Sequence, residues 1–252
     1  MCIRYVSSTR RMTVQPKIIR DLTTKNSSKS LTKKSVFLVS GGARGVTAEC
    51  VVKLAQTQPC SFILLGRSNI EDEPEWAKGV GKDKTKLKQA AMKSMVDSGE
   101  KPTPAKVNQL VVKVEAGRDI RKNLERIRNA GGNAEYVSAD VTDVKKLKTA
   151  IAAVVKKIGP VTGIIHGAGV LADKLIEKKT SDDFDTVCST KINGIDALLK
   201  SINPKKLTHL LLFSSAAGFY GNAGQSDYAV ANEALNRIAI LFKQNNPKCH
   251  VK

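Results

Sequence analysis

From residue 35 onward, short unbroken apolar runs alternate with longer stretches of helical period. "SVFLVS" (35–40) and "SFILLG" (61–66) are β-branched, aromatic and leucine-rich runs. They are too short for helices and apolar on both faces, as strands buried from both sides are. "NAEYVSAD" (133–140), "VTGIIHGAG" (161–169) and "LTHLLLFSS" (207–215) continue the series. Between them lie helical patterns at "VTAECVVKLAQTQ", 118–130, 143–158, 180–201 and 226–245. Strands alternating with helices require crossover connections, hence an α/β fold with a parallel sheet covered on both faces. "CHVK" at the end reads as the start of a sixth strand with nothing after it. Such sheets continue past that point, so a chain truncated at the C-terminus is expected.

One segment breaks the rhythm. Residues 70–117 are too long for an ordinary connection. They read as a helical insertion: one helix near 84–97, a turn at Lys101–Pro104, and a second helix near 104–115. At the other end, residues 1–34 contain the polar, turn-rich "TTKNSSKSLTKK" and read as a linker or the remnant of an upstream subdomain. Residues 35–252 then form the main domain.

Composition narrows the picture. A hydrophobic content of 41% supports a sizeable core. No apolar run is long enough to span a membrane, and the N-terminus lacks the apolar stretch of a signal peptide, so a cytoplasmic protein without a membrane partner is expected. The five cysteines show no CxxC spacing and the three histidines form no ligand cluster, so no metal site is expected. Net charge is +19, but the lysines are spread along the chain and aromatic residues are only 4%. That is poor material for stacking bases, and a solvated basic surface with no nucleic-acid partner is the expectation.

Candidate chemistry lies at the ends of the strands. Gly41, Gly42 and Gly45 fall between the first strand and its helix, with Arg44 and Val46 beside them. Glycines there allow a tight turn and close approach of a pyrophosphate to the helix N-terminus. The position of a further glycine in such loops is held by Thr47. Where an acidic residue after the second strand would grip a ribose hydroxyl, the chain has Arg67 and Ser68. A guanidinium suits a 2′-phosphate, which favours NADPH over NADH, although a surface arginine without a ligand has the same sequence. Asp140 and Val141 could hold an adenine, or Asp140 could act in the next helix cap. The small residues of "HGAG" (His166, Gly167, Ala168, Gly169) leave room for a cofactor against the backbone.

The stretch "FSSAAGFYGNAGQSDYAVANEAL" places Tyr228 thirteen residues after Ser215 and Asn232 four after Tyr228, on one helix face. A tyrosine can protonate a nascent alkoxide if a nearby cation eases loss of its proton. A serine hydroxyl can hold the carbonyl oxygen as charge develops. The cation must come from elsewhere, and Lys191 in "CSTKINGIDALL" is available, although taken alone it reads as a solvated lysine.

Together "SGGARGVT", "LLGRS", "SADVTD", "HGAGVLAD", "TKINGIDAL" and the serine–tyrosine stretch resemble the ketoreductase domains of polyketide synthases, members of the short-chain dehydrogenase/reductase superfamily. The resemblance covers residues 35–252. The insertion and the variant glycine loop most resemble the ketoreductase of multidomain polyunsaturated fatty acid synthases. In the superfamily at large the lysine follows the tyrosine by four and an asparagine lies upstream. In synthase ketoreductases the two are exchanged, as they are here.

The resemblance implies a Rossmann-type sheet and NADPH-dependent reduction of a β-ketoacyl thioester carried on an acyl carrier protein. It also implies other synthase domains as partners. Tyr228 would donate the proton, Ser215 rather than Ser214 would orient the carbonyl, Lys191 would bind the nicotinamide ribose and assist Tyr228, and Asn232 would support the proton relay. Of the two aspartates in the Leu-Asp-Asp pattern of (3R)-forming relatives, Leu171-Ala172-Asp173 keeps only the last, and a (3R) product is the expectation. The alternatives are a stand-alone carbonyl reductase of the same superfamily and a catalytically silent structural or nucleotide-binding fragment. The exchanged Lys/Asn order and the insertion speak against the first, and the intact Ser215, Tyr228 and Lys191 against the second.

Overall fold

A computed structural model describes residues 31–252 in full and, of the first thirty, the backbone of two short strands only. These are β1 (Cys2–Tyr5) and β2 (Arg11–Val14), paired antiparallel. The rest of the linker or remnant expected at 1–34 falls almost wholly outside the described residues.

The main sheet is built from β3 (Val36–Ser40), β4 (Ser61–Gly66), β5 (Asn133–Ser138), β6 (Gly163–His166), β7 (His209–Leu212) and β8 (His250–Val251). Its order is β5-β4-β3-β6-β7-β8, and every pairing is parallel. This is the doubly wound order, with the switch between β3 and β6. Alternation along each strand assigns side chains to two faces. Val36, Leu38, Ile63 and Leu65 pack on one face with Leu147, Ile151, Ile195 and Leu235. These come from α4 (Val144–Ile158), α6 (Gly194–Lys200) and α8 (Ser226–Asn245), the last preceded by the single-turn α7 (Ala217–Tyr220). Phe37, Val39, Phe62 and Leu64 pack on the other with Val51, Val52, Ile120 and Leu124. These belong to α1 (Gly45–Thr57) and α3 (Pro104–Asn129).

The strands end earlier than the apolar runs suggest. β5, β6 and β7 stop at Ser138, His166 and Leu212, and the residues after them turn into the loops of a crevice. The sixth strand begins at His250, as the terminal residues suggest.

The insertion holds a difference. α2 (Lys84–Asp97) has the expected bounds, capped by the Asp83 side chain, but the second helix does not end near 115. Starting at a Thr103 cap with Pro104 in the first turn, α3 runs unbroken through Gly117 to Asn129. One apolar stripe explains the continuity. Val107, Val111 and Val114 pack against Leu87, Ala91 and Met95 of α2, while Ile120, Leu124 and Ile127 pack on the sheet. At the junction Arg118 donates to the carboxylate of Glu73 and to the carbonyls of Ala77 and Gly81, tying the loop to the helix.

The helix expected over 180–201 is also not uniform. It comprises α5 (Ser181–Cys188), a π turn at Ser189–Asn193, and α6. Thr180 and Asp183 form a reciprocal capping box at its start. Among the described residues no helix is long and apolar enough to cross a membrane, no group of acidic, histidine and cysteine side chains could hold a metal, and Cys50, Cys60, Cys188 and Cys249 are free thiols.

Candidate active site

A cavity of about 690 Å³ opens at the carboxyl ends of β3, β4, β5 and β6, beside the switch point. Its floor is the turn after β3. Gly41 has φ +68°, a conformation that favours glycine, and a Cβ there would lie 2.9 Å from the backbone N of Ala168. The turn is thus pressed against the segment that follows β6. Arg44, in extended conformation, precedes α1, which has no side-chain cap and no acidic residue in its first turn. The first N–H groups of α1 and its positive dipole end are available to an anion.

Thr47 stands where a further glycine is usual, and the structure shows where its bulk goes. Thr47 is buried, and a Cβ on Gly167 would collide with the Thr47 hydroxyl oxygen. The absence of a side chain at Gly167 leaves the space that Thr47 fills.

Arg67 and Ser68 line the cavity beyond β4. Tyr136 donates its hydroxyl to the Ser68 carbonyl at 2.6 Å, fixing that turn. Arg44 and Arg67 both line the cavity, and the Arg67 charge helps to lower the pKa of the Asp140 carboxyl. Asp140 also lines it, but its Oδ1 accepts from the backbone N–H and hydroxyl of Thr142 at 2.8 and 2.7 Å. Those bonds hold its carboxyl below the usual carboxylate range. Asp143 is the residue that caps α4.

The π turn carries Lys191. Widening a helix by one residue re-aims a side chain, and here it sends Lys191 inward. The residue is buried to 4% exposure, and its Nζ donates to the Phe213 carbonyl at 2.6 Å. Nζ lies 5.9 Å from the centroid of the Tyr228 ring. Burial pushes the Lys191 ammonium below its ordinary pKa. The lysine from the β6–β7 crossover and the tyrosine from α8 therefore meet at one wall, 37 residues apart in sequence.

His166 stands behind that wall. It is fully buried and does not line the cavity. Its Nε2 lies 2.9 Å from the Lys191 carbonyl, which can only accept, so Nε2 carries the proton. Its Nδ1 then accepts from the Ser40 hydroxyl at 2.6 Å, and Ser40 Oγ in turn accepts from the backbone N–H of Ala168. Burial pulls the imidazole pKa down to about 4. His166 is a neutral brace linking β3, the turn after β6 and the π turn.

Of the remaining candidates, Gly41, Val46, Val141, Gly167, Ala168 and Gly169 line the cavity, and Gly42, Gly45, Ser215 and Asn232 do not. Ser214 lines the wall, whereas Ser215 Oγ accepts from the Ala217 backbone N–H at 3.2 Å. Asn232 is fully buried: its Nδ2 donates to the Tyr228 carbonyl at 2.8 Å, and its Oδ1 has no donor among the described residues. The sequence reading missed the Ser40 brace, the Phe213 carbonyl and the packing of Thr47. A serine ending the otherwise apolar β3 run was the one available signal for Ser40.

The KR domain family model matches residues 35–249, and the chain belongs to that family. This is the ketoreductase group of the short-chain dehydrogenase/reductase superfamily, oxidoreductases of the ketone/alcohol couple. The chain is 43% identical over 219 residues to a polyunsaturated fatty acid synthase polypeptide from Thraustochytrium sp., covering 84% of this chain and 8% of that protein. It is 28% identical over 207 residues to polyketide synthase PksL from Bacillus subtilis, covering 82% of this chain and 4% of that protein. It superposes on the crystal structure of an N-terminal ketoreductase from the macrolactin assembly line with a TM-score of 0.65 at 25% identity, over 89% of this chain and 37% of that one. The chain thus spans less than a tenth of the length of these two curated relatives.

Proposed function

We propose that this chain reduces a β-ketoacyl thioester on an acyl carrier protein to the β-hydroxyacyl thioester, with NADPH as reductant, as one domain of a polyunsaturated fatty acid or polyketide synthase. The observation that carries this reading is the meeting of Lys191 and Tyr228 on the wall of a cavity floored by a glycine turn and an uncapped helix N-terminus. The residues fit a dinucleotide. The Gly41 turn and the first N–H groups of α1 would hold the pyrophosphate, and the small residues Gly167 to Gly169 would accommodate the ribose and nicotinamide. Arg44 and Arg67, two guanidinium groups on the cavity lining, would take a 2′-phosphate, which supports NADPH. When bound, the cofactor supplies hydride for C3 of the ketone.

The protein's own part is positioning and proton delivery. Tyr228 gives its phenolic proton to the oxygen as that oxygen gains charge. Lys191 brings positive charge to the wall beside it, in a site where burial strengthens electrostatic effects. Asn232 fixes the first turn of the helix under Tyr228 through the Tyr228 carbonyl. A serine hydroxyl steadies the substrate oxygen. The family pattern assigns this role to Ser215, while Ser214 is the serine on the cavity wall.

NADPH consumption with a β-ketoacyl thioester surrogate tests the reading. Tyr228→Phe lowers turnover by about 100-fold or more while NADPH binding persists, and equal rates in the two proteins overturn it. Comparing Ser214→Ala with Ser215→Ala assigns the oxygen-binding serine by which variant loses turnover.

A further inference from the structure

The segment between β6 and α5 passes over the mouth of the cavity, contributing Val170 and Leu171 to its lining. Three contacts join it to the start of α8. The Lys174 backbone N–H donates to the Gly224 carbonyl at 3.0 Å, and Gln225 Nε2 donates to Asp173 Oδ2 at 2.9 Å. The third contact is an ion pair between Lys179 and Asp227, with Nζ 2.8 Å from Oδ1. It differs from the other ion pairs among the described residues, most of which involve well-exposed side chains. Here the side chains are 5% and 0% exposed.

Each partner is tied further. Lys179 Nζ also donates to the Ala172 carbonyl at 2.8 Å, within the mouth segment. Asp227 Oδ1 also accepts the backbone N–H of Tyr228 at 2.8 Å, while Oδ2 is buried with no donor among the described residues. α8 has no N-cap side chain, so the Asp227 carboxylate is what serves its first turn. Exposed pairs contribute little, whereas removing one partner of a buried pair leaves an uncompensated charge.

We propose that the Lys179–Asp227 pair is a positioning latch that holds the mouth segment 170–179 against the first turn of α8 and thereby fixes the direction of Tyr228. It touches neither the cavity nor the reacting atoms, and acts through the Tyr228 backbone and the Ala172 carbonyl. The catalytic half of this inference rests on the ketoreductase reading. The structural half does not.

The test uses Lys179→Met, Asp227→Asn and the double variant. Measurements are turnover and KM for the thioester surrogate, NADPH binding by fluorescence, thermal midpoint, and hydrogen exchange of residues 170–179. Either single variant lowers kcat at least about tenfold with NADPH affinity within about twofold of the parent, and speeds exchange of the segment at least about tenfold. The double variant, which buries no unpaired charge, regains the thermal midpoint but neither kcat nor slow exchange. A double variant with parental kcat and parental exchange overturns the latch, and so do single variants that lose stability while kcat per folded molecule is unchanged. If the parent fails to consume NADPH with the thioester while exchange responds as described, the ketoreductase reading falls and the structural latch stands.

Discussion

His166 contributes a pH-dependent share of the protein's stability from one buried ring. In the folded chain its pKa is about 4, against an ordinary value of 6.5, with burial as the first cause. The nearby Lys191 charge adds to the depression, and the bond to the Lys191 carbonyl opposes it. Between these two values the unfolded chain holds a proton that the folded chain does not. Stability therefore rises with pH across this window and is lost as pH falls from 6.5 towards 4, by about 1.4 kcal/mol per pH unit. The whole window amounts to about 3 kcal/mol, a large share of the roughly 5–15 kcal/mol a domain has. Below both values the ring is protonated in either state and its contribution is flat.

The perturbation is His166→Gln, which keeps an N–H for the Lys191 carbonyl and an acceptor for Ser40 but cannot titrate. Urea unfolding of parent and variant at a series of pH values from about 7 to about 4 gives the two stability curves. Subtraction removes the titration of carboxylates and of His209 and His250, whose pKa values burial also depresses. The difference between the curves should change by about 3 kcal/mol across the window, in favour of the variant at low pH. Parallel curves at all pH values would refute the neutral-brace account, whatever constant offset separates them.

Further outcomes follow from the same geometry. Gly41→Ala forces a positive φ on a residue with a Cβ and drives that atom towards the Ala168 backbone, so NADPH affinity should fall with a stability loss of about 1–2 kcal/mol, measured by fluorescence titration and denaturant unfolding. Lys191→Met removes a desolvated charge, so the thermal midpoint should stay within a few degrees of the parent while turnover falls by about 100-fold. Arg118→Met breaks the bonds to Glu73, Ala77 and Gly81, and should cost about 2 kcal/mol with proteolysis appearing first between 70 and 82. If that segment stays as protected as the sheet, the tie is not what orders it.

How much of this was legible in the sequence differs from element to element. The β3 and β4 runs were the plainest because both sheet faces are covered there, whereas β5, which carries Asn133, Glu135 and Ser138, was read from its place in the alternation. The sequence reading separated a helix near 104–115 from one at 118–130, but the apolar stripe from Val107 to Ile127 keeps one register through Gly117, and packing on both halves outweighs the propensity of one glycine. The meeting of Lys191 and Tyr228 was legible only through resemblance, because no local pattern shows that a lysine will be turned inward by a π turn. The Lys179–Asp227 pair was invisible for a similar reason. It joins residues 48 apart, and in a basic chain Lys179 looks like any other lysine. The packing of Thr47 against Gly167 likewise depends on the first turn of α1 meeting the segment after β6 across the switch point.

The continuity of α3 bears on how this chain could be taken apart. Its first half belongs to the small core of the excursion and its second half to the sheet, with no loop between them. An engineer wishing to delete residues 70–117 would find no seam, since the cut would fall within a helical turn, beside Arg118. Shortening the excursion would leave α3 to be capped afresh and its sheet-facing half to begin without the turns that now precede it. The excursion is therefore not a detachable module, and changes in its length are expected to come in whole helical turns that preserve the register of the half that covers β4 and β5.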